Sequence, residues 1–366
     1  MASIQRRPNG KWRARYRDDT GRELARHFTR KIDAQRWLDE ATAAIVTGQY
    51  VDPRAGRITF RDYAEQWRAG QVHRPTTRAH VETMLRRHAY PVLGDRPLSV
   101  IRPSDVQSWV AGLAAALAPR TVGTVHGVVA GIFRAAVRDR LITANPCDGT
   151  RLPKVTPARV EPLPLATVRA IEAELPARYR ALVTLAAGTG MRQGEALGLT
   201  VDRVDWLRRS VTVDRQLVTV PGREPYLGPP KTPASVRVIP LPLTVIDALA
   251  AHLTAFPSSS SELELVFTND RGSPIRRSRF GEVWRAAVTA AGAPAGTGFH
   301  DLRHFYASLL IRHGESVKVA QARLGHASAS ETLHTYSHLW PDSDDRTRAA
   351  VDEALADSIR TSEATL

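Results

Sequence analysis

The sequence predicts a multidomain protein: a small α+β unit of one three-stranded sheet and one helix, an all-α domain, and a mixed, mainly α domain with a small antiparallel sheet. Three observations carry that reading. Residues 1–56 alternate in polarity between turn signals, which is the strand pattern. Residues 57–148 hold four helix-period stretches separated by Pro or Gly. Residues 163–366 mix helical stretches with two runs of period two, "SVTVDRQLVTV" and "SVRVIPL".

In the first unit, Pro8-Asn9-Gly10 is a turn ahead of an alternating strand. Trp12, Ala14 and Tyr16 fall on one face of that strand, and Lys11, Arg13, Arg15 and Arg17 on the other. "DDTGRE" is a second turn, "LARHFT" a third strand, and "KIDAQRWLDEATAAIVTG" a helix ending at Gly48. The cationic face is either plainly solvated or set against a polyanion; the arginine density on so small a sheet favours DNA. "VDPRAGR" then breaks the pattern as a linker.

The four helices of the second domain are "TFRDYAEQWRAG" with Thr59 as cap, "TTRAHVETMLRRHAYPVL", "RPSDVQSWVAGLAAAL" with Ser104 as cap, and "APRTVGTVHGVVAGIFRAAVRDRLI". The alanine-rich end of the third helix reads as core packing rather than as a partner-binding face. Residues 149–162, which include Lys154, are Pro-rich and basic and form an extended linker. In the last domain "LATVRAIEAEL" and "RYRALVTLAAGTG" are helical, and "PSSSSE" is a surface loop.

Lys and Arg number 51 against 37 Asp and Glu, a net charge of +14 that suits a polyanion partner through counterion release. Cys147 is the single cysteine, so no internal disulfide forms and a reducing, intracellular compartment is expected. The N-terminus lacks the apolar core of a signal peptide, and no apolar run approaches the ~18 residues of a membrane span.

Four pieces of the last domain carry chemistry. "GTGMRQGEALGL" lacks the Gly-Lys-Ser/Thr of a phosphate loop, which leaves Arg192 at a helix start with Glu195 three residues on to brace it. Lys231 follows Pro229 and Pro230 and precedes a strand, a position expected at a hairpin turn. "FHDLRHFYASLLI" sets His300 and Arg303 three apart at the start of a helix. His304 is available as a metal ligand there, but the His-x-x-Arg-His spacing lacks the carboxylate or cysteine set that zinc sites usually recruit. "LGHASASETLHTYSHLW" gathers His326, His334, His338 and Tyr336, either a metal site or a place where the tyrosine is the reagent.

Taken in order, these pieces resemble the tyrosine recombinases, the phage-integrase family. Arg192 lies in a segment similar to the family's first arginine motif, and Lys231 matches its hairpin lysine. His300 and Arg303 match its His-x-x-Arg motif, and Leu324-Gly325-His326 followed by Tyr336 its closing motif. The resemblance extends to the helical domain and, more loosely, to the N-terminal unit, which looks like the family's arm-binding domain. It implies arm-type DNA binding by residues 1–56, core-type DNA binding by 57–148, a linker at 149–162 and a catalytic domain at 163–366.

The resemblance further implies that Tyr336 is the nucleophile and forms a 3′-phosphotyrosyl intermediate. Arg192 and Arg303 clamp the phosphate, His326 donates to it, His300 orients or deprotonates the tyrosine, and Lys231 protonates the leaving 5′-oxygen. Glu195 holds Arg192; His334 and His338 lie two residues either side of Tyr336, off its helical face, and take no role. No metal and no other cofactor is expected. The implied partners are double-stranded DNA attachment sites, further copies in a homotetramer on DNA, and an accessory host factor and an excision factor, in the cytoplasm at the bacterial nucleoid and with no membrane. Val351, Leu355 and Ile359 make a helical stripe in the tail that the resemblance would dock on a neighbouring protomer. Within the family the N-terminal unit favours integration and excision of a phage or mobile element over plasmid or chromosome dimer resolution. Outside it stands a DNA-binding regulator that has lost catalysis.

Overall fold

The computed structural model describes residues 2–17, 21–47, 50–52, 54–156, 159–258, 263–340, 348–349 and 351–355. The chain divides into two compact units, Met1–Pro157 and Ala158–Leu366.

The first unit opens with strands β1 (Ser3–Arg6), β2 (Trp12–Arg17) and β3 (Glu23–Phe28), antiparallel in the order β1-β2-β3 and followed by helix α1 (Lys31–Val46). The β1–β2 turn is the expected one: Gly10 takes φ +77°, and Asn9 Oδ1 accepts the Lys11 N–H at 3.2 Å. Ala14 and Tyr16 are buried with Leu38 of α1, as alternation requires. On the opposite face Arg13 and Arg15 both reach Glu23, at 3.4 and 3.5 Å, whereas Lys11 and Arg17 are exposed. Thr47 caps α1; Gly48, the expected end, lies outside the described residues.

The helical part has its own core. Helix α2 (Phe60–Ala69) is capped as expected, with Thr59 Oγ1 accepting the Asp62 N–H at 3.1 Å. The second expected helix is three pieces: α3 (Pro75–Met84), a π turn (Leu85–Ala89) and α4 (Tyr90–Leu93). Pro91 explains the break, because it has no N–H to return to the preceding turn, and the Tyr90 N–H reaches back five residues to Leu85 O. Helix α5 (Pro103–Ala116) corrects the cap assigned to Ser104. Pro103 takes the first helical position, so Arg102 is the cap and its N–H donates to Asp105 Oδ2 at 2.8 Å.

The alanine-rich end of α5 is also corrected. Ala114, Ala115 and Ala116 are exposed, because the buried face of α5 is carried by Val106, Trp109 and Val110. Helix α6 (Pro119–Arg138) buries Val122, Val125, Val129, Ile132, Phe133 and Ala136 at helical spacing. Phe133 packs against Phe60 with ring centroids 5.2 Å apart, and truncating so buried an aromatic costs ~3–5 kcal/mol.

The second unit contains α7 (Leu165–Glu174), α8 (Ala177–Thr189), α9 (Gln193–Leu197), β4 (Val204–Asp205), β5 (Ser210–Val213), β6 (Gln216–Val218), β7 (Tyr226–Gly228), β8 (Arg237–Pro240), α10 (Leu243–Ala255), α11 (Arg277–Ala290), α12 (Asp301–Arg312), α13 (Val317–Leu324) and α14 (Ala329–Tyr336). A three-stranded antiparallel sheet runs β4-β5-β8, and β6 pairs with β7 as a separate hairpin. Helix α8 is the centre of the core, with Leu182, Val183, Leu185 and Ala186 buried. Lys231 is not at the β6–β7 turn. It follows β7, where Pro229 and Pro230 end the pairing, and lies exposed on the way to β8.

"PSSSSE" falls mostly outside the described residues. Residues 348–349 and 351–355 are helical, with Val351 and Leu355 exposed, and Ile359 lies outside the described residues.

Candidate active site

The site is assembled from four places in the second unit. Helix α8 ends at Gly190 in the left-handed region, φ +64°, where a Cβ would lie 2.5 Å from the Tyr306 ring. The chain then turns straight into α9, with Arg192 as its cap residue. The Arg192 guanidinium donates to Glu195 Oε1 at 2.9 Å, Ser235 Oγ at 3.1 Å and the Gly325 carbonyl at 3.2 Å. Its backbone N–H donates to Glu195 Oε2 at 3.0 Å. Glu195 therefore braces Arg192, as the spacing predicts, but it is buried rather than a surface partner.

Glu195 also serves a second cation that sequence reasoning missed. Arg237 of β8 donates to Glu195 Oε2 at 2.9 Å, to the Arg323 carbonyl at 2.7 Å and to the Ser235 carbonyl at 2.8 Å. The signal was present: strand alternation puts Arg237 on the same face as Ile239, so an arginine takes an inward-facing position. Burial pushes the Glu195 carboxyl up, but Arg237 and Arg192 outweigh it and hold the group below the usual carboxylate range.

Arg303 of α12 is 2% exposed and donates to the Gly190 carbonyl at 2.7 Å and the Leu324 carbonyl at 2.6 Å. Burial, with Arg192 and Arg237 close by, brings its pKa down to about 9, so it stays charged at neutral pH. Two guanidiniums thus pair with one carboxylate and the third, Arg303, stands close by on backbone carbonyls, an arrangement with two positive charges left for an anion.

The Leu-Gly-His stretch supports two of these arginines through its backbone. Helix α13 ends at Gly325, φ +65°, where a Cβ would sit 3.0 Å from the Ala234 carbonyl. The Leu324 carbonyl then meets Arg303, and the Gly325 carbonyl meets Arg192. His326 is buried, with Nδ1 2.8 Å from Thr332 Oγ1. Burial together with Arg303, Arg192 and Arg237 takes its pKa down to about 3, which leaves a neutral imidazole. Helix α14, capped by Ser328 Oγ on the Glu331 N–H, ends at Tyr336.

Tyr336 is 1% exposed and lies parallel to the His326 ring, centroids 6.4 Å apart. Burial pushes its pKa up to about 12, against the pull of Arg303. The histidine in reach of its hydroxyl is His304, with Nδ1 2.8 Å from Tyr336 Oη, and not His300. The physical reason is a turn of helix: His300 caps α12, and α14 delivers the phenol to the residue four positions further along. The His300 and His304 rings meet edge to face at 5.0 Å. The surrounding protein, then His304, Arg303 and Arg192, hold the His300 pKa below the histidine range even though the residue is exposed.

Arg192, His300, Arg303, His326 and Tyr336 are therefore brought together. Lys231 is not joined to them by a hydrogen bond or ion pair among the described residues, but its neighbour Thr232 bonds Ser235, which receives Arg192. Among the same residues no group of three His, Cys, Asp or Glu is placed to hold a metal ion, and no helix is long and apolar enough to cross a membrane. His334 and His338 are exposed; His338 Nε2 lies 2.9 Å from the Val160 carbonyl. Lys154 is exposed in the stretch before residue 157.

Comparison with known proteins adds three matches along the chain: the phage integrase family over residues 163–342, the phage integrase central domain over 60–152, and the phage integrase N-terminal domain over 2–47. The integrase of Mycobacterium phage D29 is 27% identical over 315 residues, 83% of this chain and 83% of that protein. Tyrosine recombinase XerD of Mycobacterium leprae is 30% identical over 256 residues, 64% of this chain and 73% of that protein. The fold is shared with a lambda integrase tetramer bound to a Holliday junction, at a TM-score of 0.59 and 20% identity over 90% of this chain and 96% of that one.

Proposed function

The chain belongs to the phage integrase family of tyrosine recombinases and is a site-specific recombinase; from its site geometry we propose that Tyr336 attacks a DNA phosphodiester held by Arg192 and Arg303. The attack gives a 3′-phosphotyrosyl intermediate and a free 5′-hydroxyl. The observation that carries this assignment is the cluster of three guanidiniums, Arg192 and Arg237 on Glu195 and Arg303 close by, with the Tyr336 ring parallel to His326 and its charge felt by Arg303. An in-line transition state at phosphorus concentrates negative charge on the non-bridging oxygens, and fixed, charged donors stabilise it. Arg192 and Arg303 supply the charge that other phosphoryl-transfer sites draw from Mg²⁺.

His326 donates one hydrogen bond to the phosphate. In the tautomer where the Thr332 hydroxyl donates to Nδ1, the neutral ring carries its proton on Nε2, the atom that donates. Lys231 protonates the leaving 5′-oxygen, and His300, edge to face with His304, helps orient the group that touches the phenol. Glu195 and Arg237 hold Arg192 in place from behind. The energy of the broken bond stays in the phosphotyrosine, so attack by the 5′-hydroxyl of a partner duplex completes the exchange without ATP.

The division of labour follows the three matched segments. Residues 1–56 bind arm-type sites through Lys11, Arg13, Arg15 and Arg17. Residues 57–148 and 163–366 close on the core site, with Lys154 in the basic linker 149–162. A two-site arrangement gains affinity through effective concentration, and supports integration and excision of a phage or mobile element. The working assembly is a homotetramer on attachment-site DNA at the nucleoid, joined by host and excision factors, with the tail stripe of Val351 and Leu355 seated on a neighbouring copy.

A nicked suicide substrate tests the reading, because loss of the short 5′ strand prevents religation. Wild-type protein is expected to accumulate a covalent DNA adduct that Tyr336→Phe does not form. DNA binding with no adduct on a verified site would favour a silent regulator. Relaxation of plasmid lacking any site would favour a topoisomerase.

A further inference from the structure

We propose that His304 is the catalytic residue that takes the Tyr336 proton as the phenol attacks phosphorus. This inference rests on the reading of Tyr336 as nucleophile. It follows from contact: His304 Nδ1 is 2.8 Å from Tyr336 Oη, with the two rings edge to face at 5.6 Å. A general base must stand within hydrogen-bond reach of the proton it removes, and His300 does not do so here.

The position on α12 fits that task. His304 is the residue after Arg303, so the acceptor and one arm of the phosphate clamp are built into the same turn of helix. The phosphate is therefore bound next to the group that receives the proton. The other imidazole ring facing the phenol, His326, has its Nδ1 on Thr332, and Arg303 has no acceptor atom to offer the proton.

The electrostatics make the transfer conditional on DNA. The groups around His304 are His300, Asp301 and Arg303 at the start of its own helix and Tyr336 at the end of α14; the phenol in turn has Glu331 on α14 and His326 on the loop before it. Burial and Arg303 hold the His304 imidazole below the usual histidine range against Asp301, so it is neutral and able to accept. At rest the phenol is too weak an acid to give up its proton to such a base. A phosphodiester entering beside Arg303 adds a negative charge that stabilises imidazolium, and the clamp arginines stabilise the developing phosphotyrosine. In the step the Tyr336 O–H bond breaks and its proton passes to His304 Nδ1 while Oη bonds phosphorus. The P–O5′ bond breaks with its electron pair on O5′, which is protonated by Lys231. On rejoining, Lys231 takes back the proton of the attacking 5′-hydroxyl as O5′ bonds phosphorus, the P–Oη bond breaks with its electron pair on Oη, and His304 returns the proton to the phenolate.

The test is the pH dependence of cleavage of the nicked substrate by full-length His304→Asn. Asn places a hydrogen-bonding group near the position of Nδ1 but does not titrate. Wild-type cleavage should be nearly flat with pH from neutrality upward. The variant should bind DNA normally, cleave ~10²–10³-fold more slowly at neutral pH, and gain about tenfold per pH unit as phenolate forms in bulk solvent. Added imidazole should restore cleavage to His304→Ala. A flat profile in the Asn variant, or an Ala variant deaf to imidazole, overturns the assignment. Tyr336→Phe is run beside them: an adduct from that variant would overturn the nucleophile itself, which is a separate failure.

Discussion

Glu195 and Arg237 form an ion pair 2.9 Å long whose side chains are only 2% and 5% exposed. Breaking a buried pair by removing one charge leaves the other unpaired in a medium of low dielectric, at a cost of ~3–5 kcal/mol. Glu195→Gln should therefore lower the unfolding free energy by about that amount, because Arg192 and Arg237 lose their shared anion and Arg303 the charge nearby that favours it. The sign with pH follows from a folded-state pKa below the unfolded one. The carboxylate stabilises the fold above the ordinary Glu value and loses that contribution as pH falls through its lowered folded value. Denaturation at neutral and acidic pH should show wild type and variant converging in acid.

The uncompensated charge of the arginine cluster predicts a site for a tetrahedral oxyanion even without DNA. Inorganic sulfate at millimolar concentration should raise the Tm of wild type more than that of Arg192→Ala. Arg192 is the partly exposed member of the cluster, so this variant keeps the buried pair of Glu195 and Arg237. The comparison removes the general salting effect of sulfate, which acts on both proteins alike. Equal shifts would count against an anion site at Arg192.

Lys231 is exposed, next in sequence to the Thr232 that bonds Ser235, and is assigned the proton for the 5′-oxygen. Lys231→Ala should slow cleavage ~10²–10³-fold on ordinary DNA, the usual scale of general acid catalysis. On a substrate with sulfur replacing the bridging 5′-oxygen, the leaving thiolate needs no proton and the deficit should vanish. A deficit of the same size on both substrates would remove Lys231 from that role.

The arm assignment is tested on its two exposed cations. Lys11→Glu with Arg17→Glu should weaken binding to arm-type DNA and lower the salt slope, by ~0.9 for each phosphate that is no longer neutralised. Core-site binding, measured on a separate duplex, should be unchanged. Arg13 and Arg15 are left alone because both reach Glu23, and altering them disturbs the sheet.

The site was legible in the sequence to the extent that its members sit in short local motifs. Arg192 with Glu195, His300 with Arg303, and Leu324-Gly325-His326 are spacings that one helix turn or one helix end can satisfy. What escaped depended on where distant elements meet. His304 acquires its partner from a residue 32 positions away, and only a fold that brings the end of α14 to α12 makes it the neighbour of the phenol. Arg237 reads as one more cation until β8 is paired with β5 and its face fixed. The α3–α4 break and the cap of α5 turned on single prolines, Pro91 and Pro103, whose effect on backbone bonding outweighed the helical periodicity around them.

The central claim is that one phenol oxygen becomes covalently joined to DNA. The direct measurement is to trap wild-type protein on a nicked suicide substrate, digest the protein and locate the nucleotide-bearing peptide by mass spectrometry. The account predicts the adduct on Tyr336, linked through a 3′-phosphate. An adduct on any other residue, a 5′ linkage, or bound and cleaved DNA with no adduct at all would contradict it.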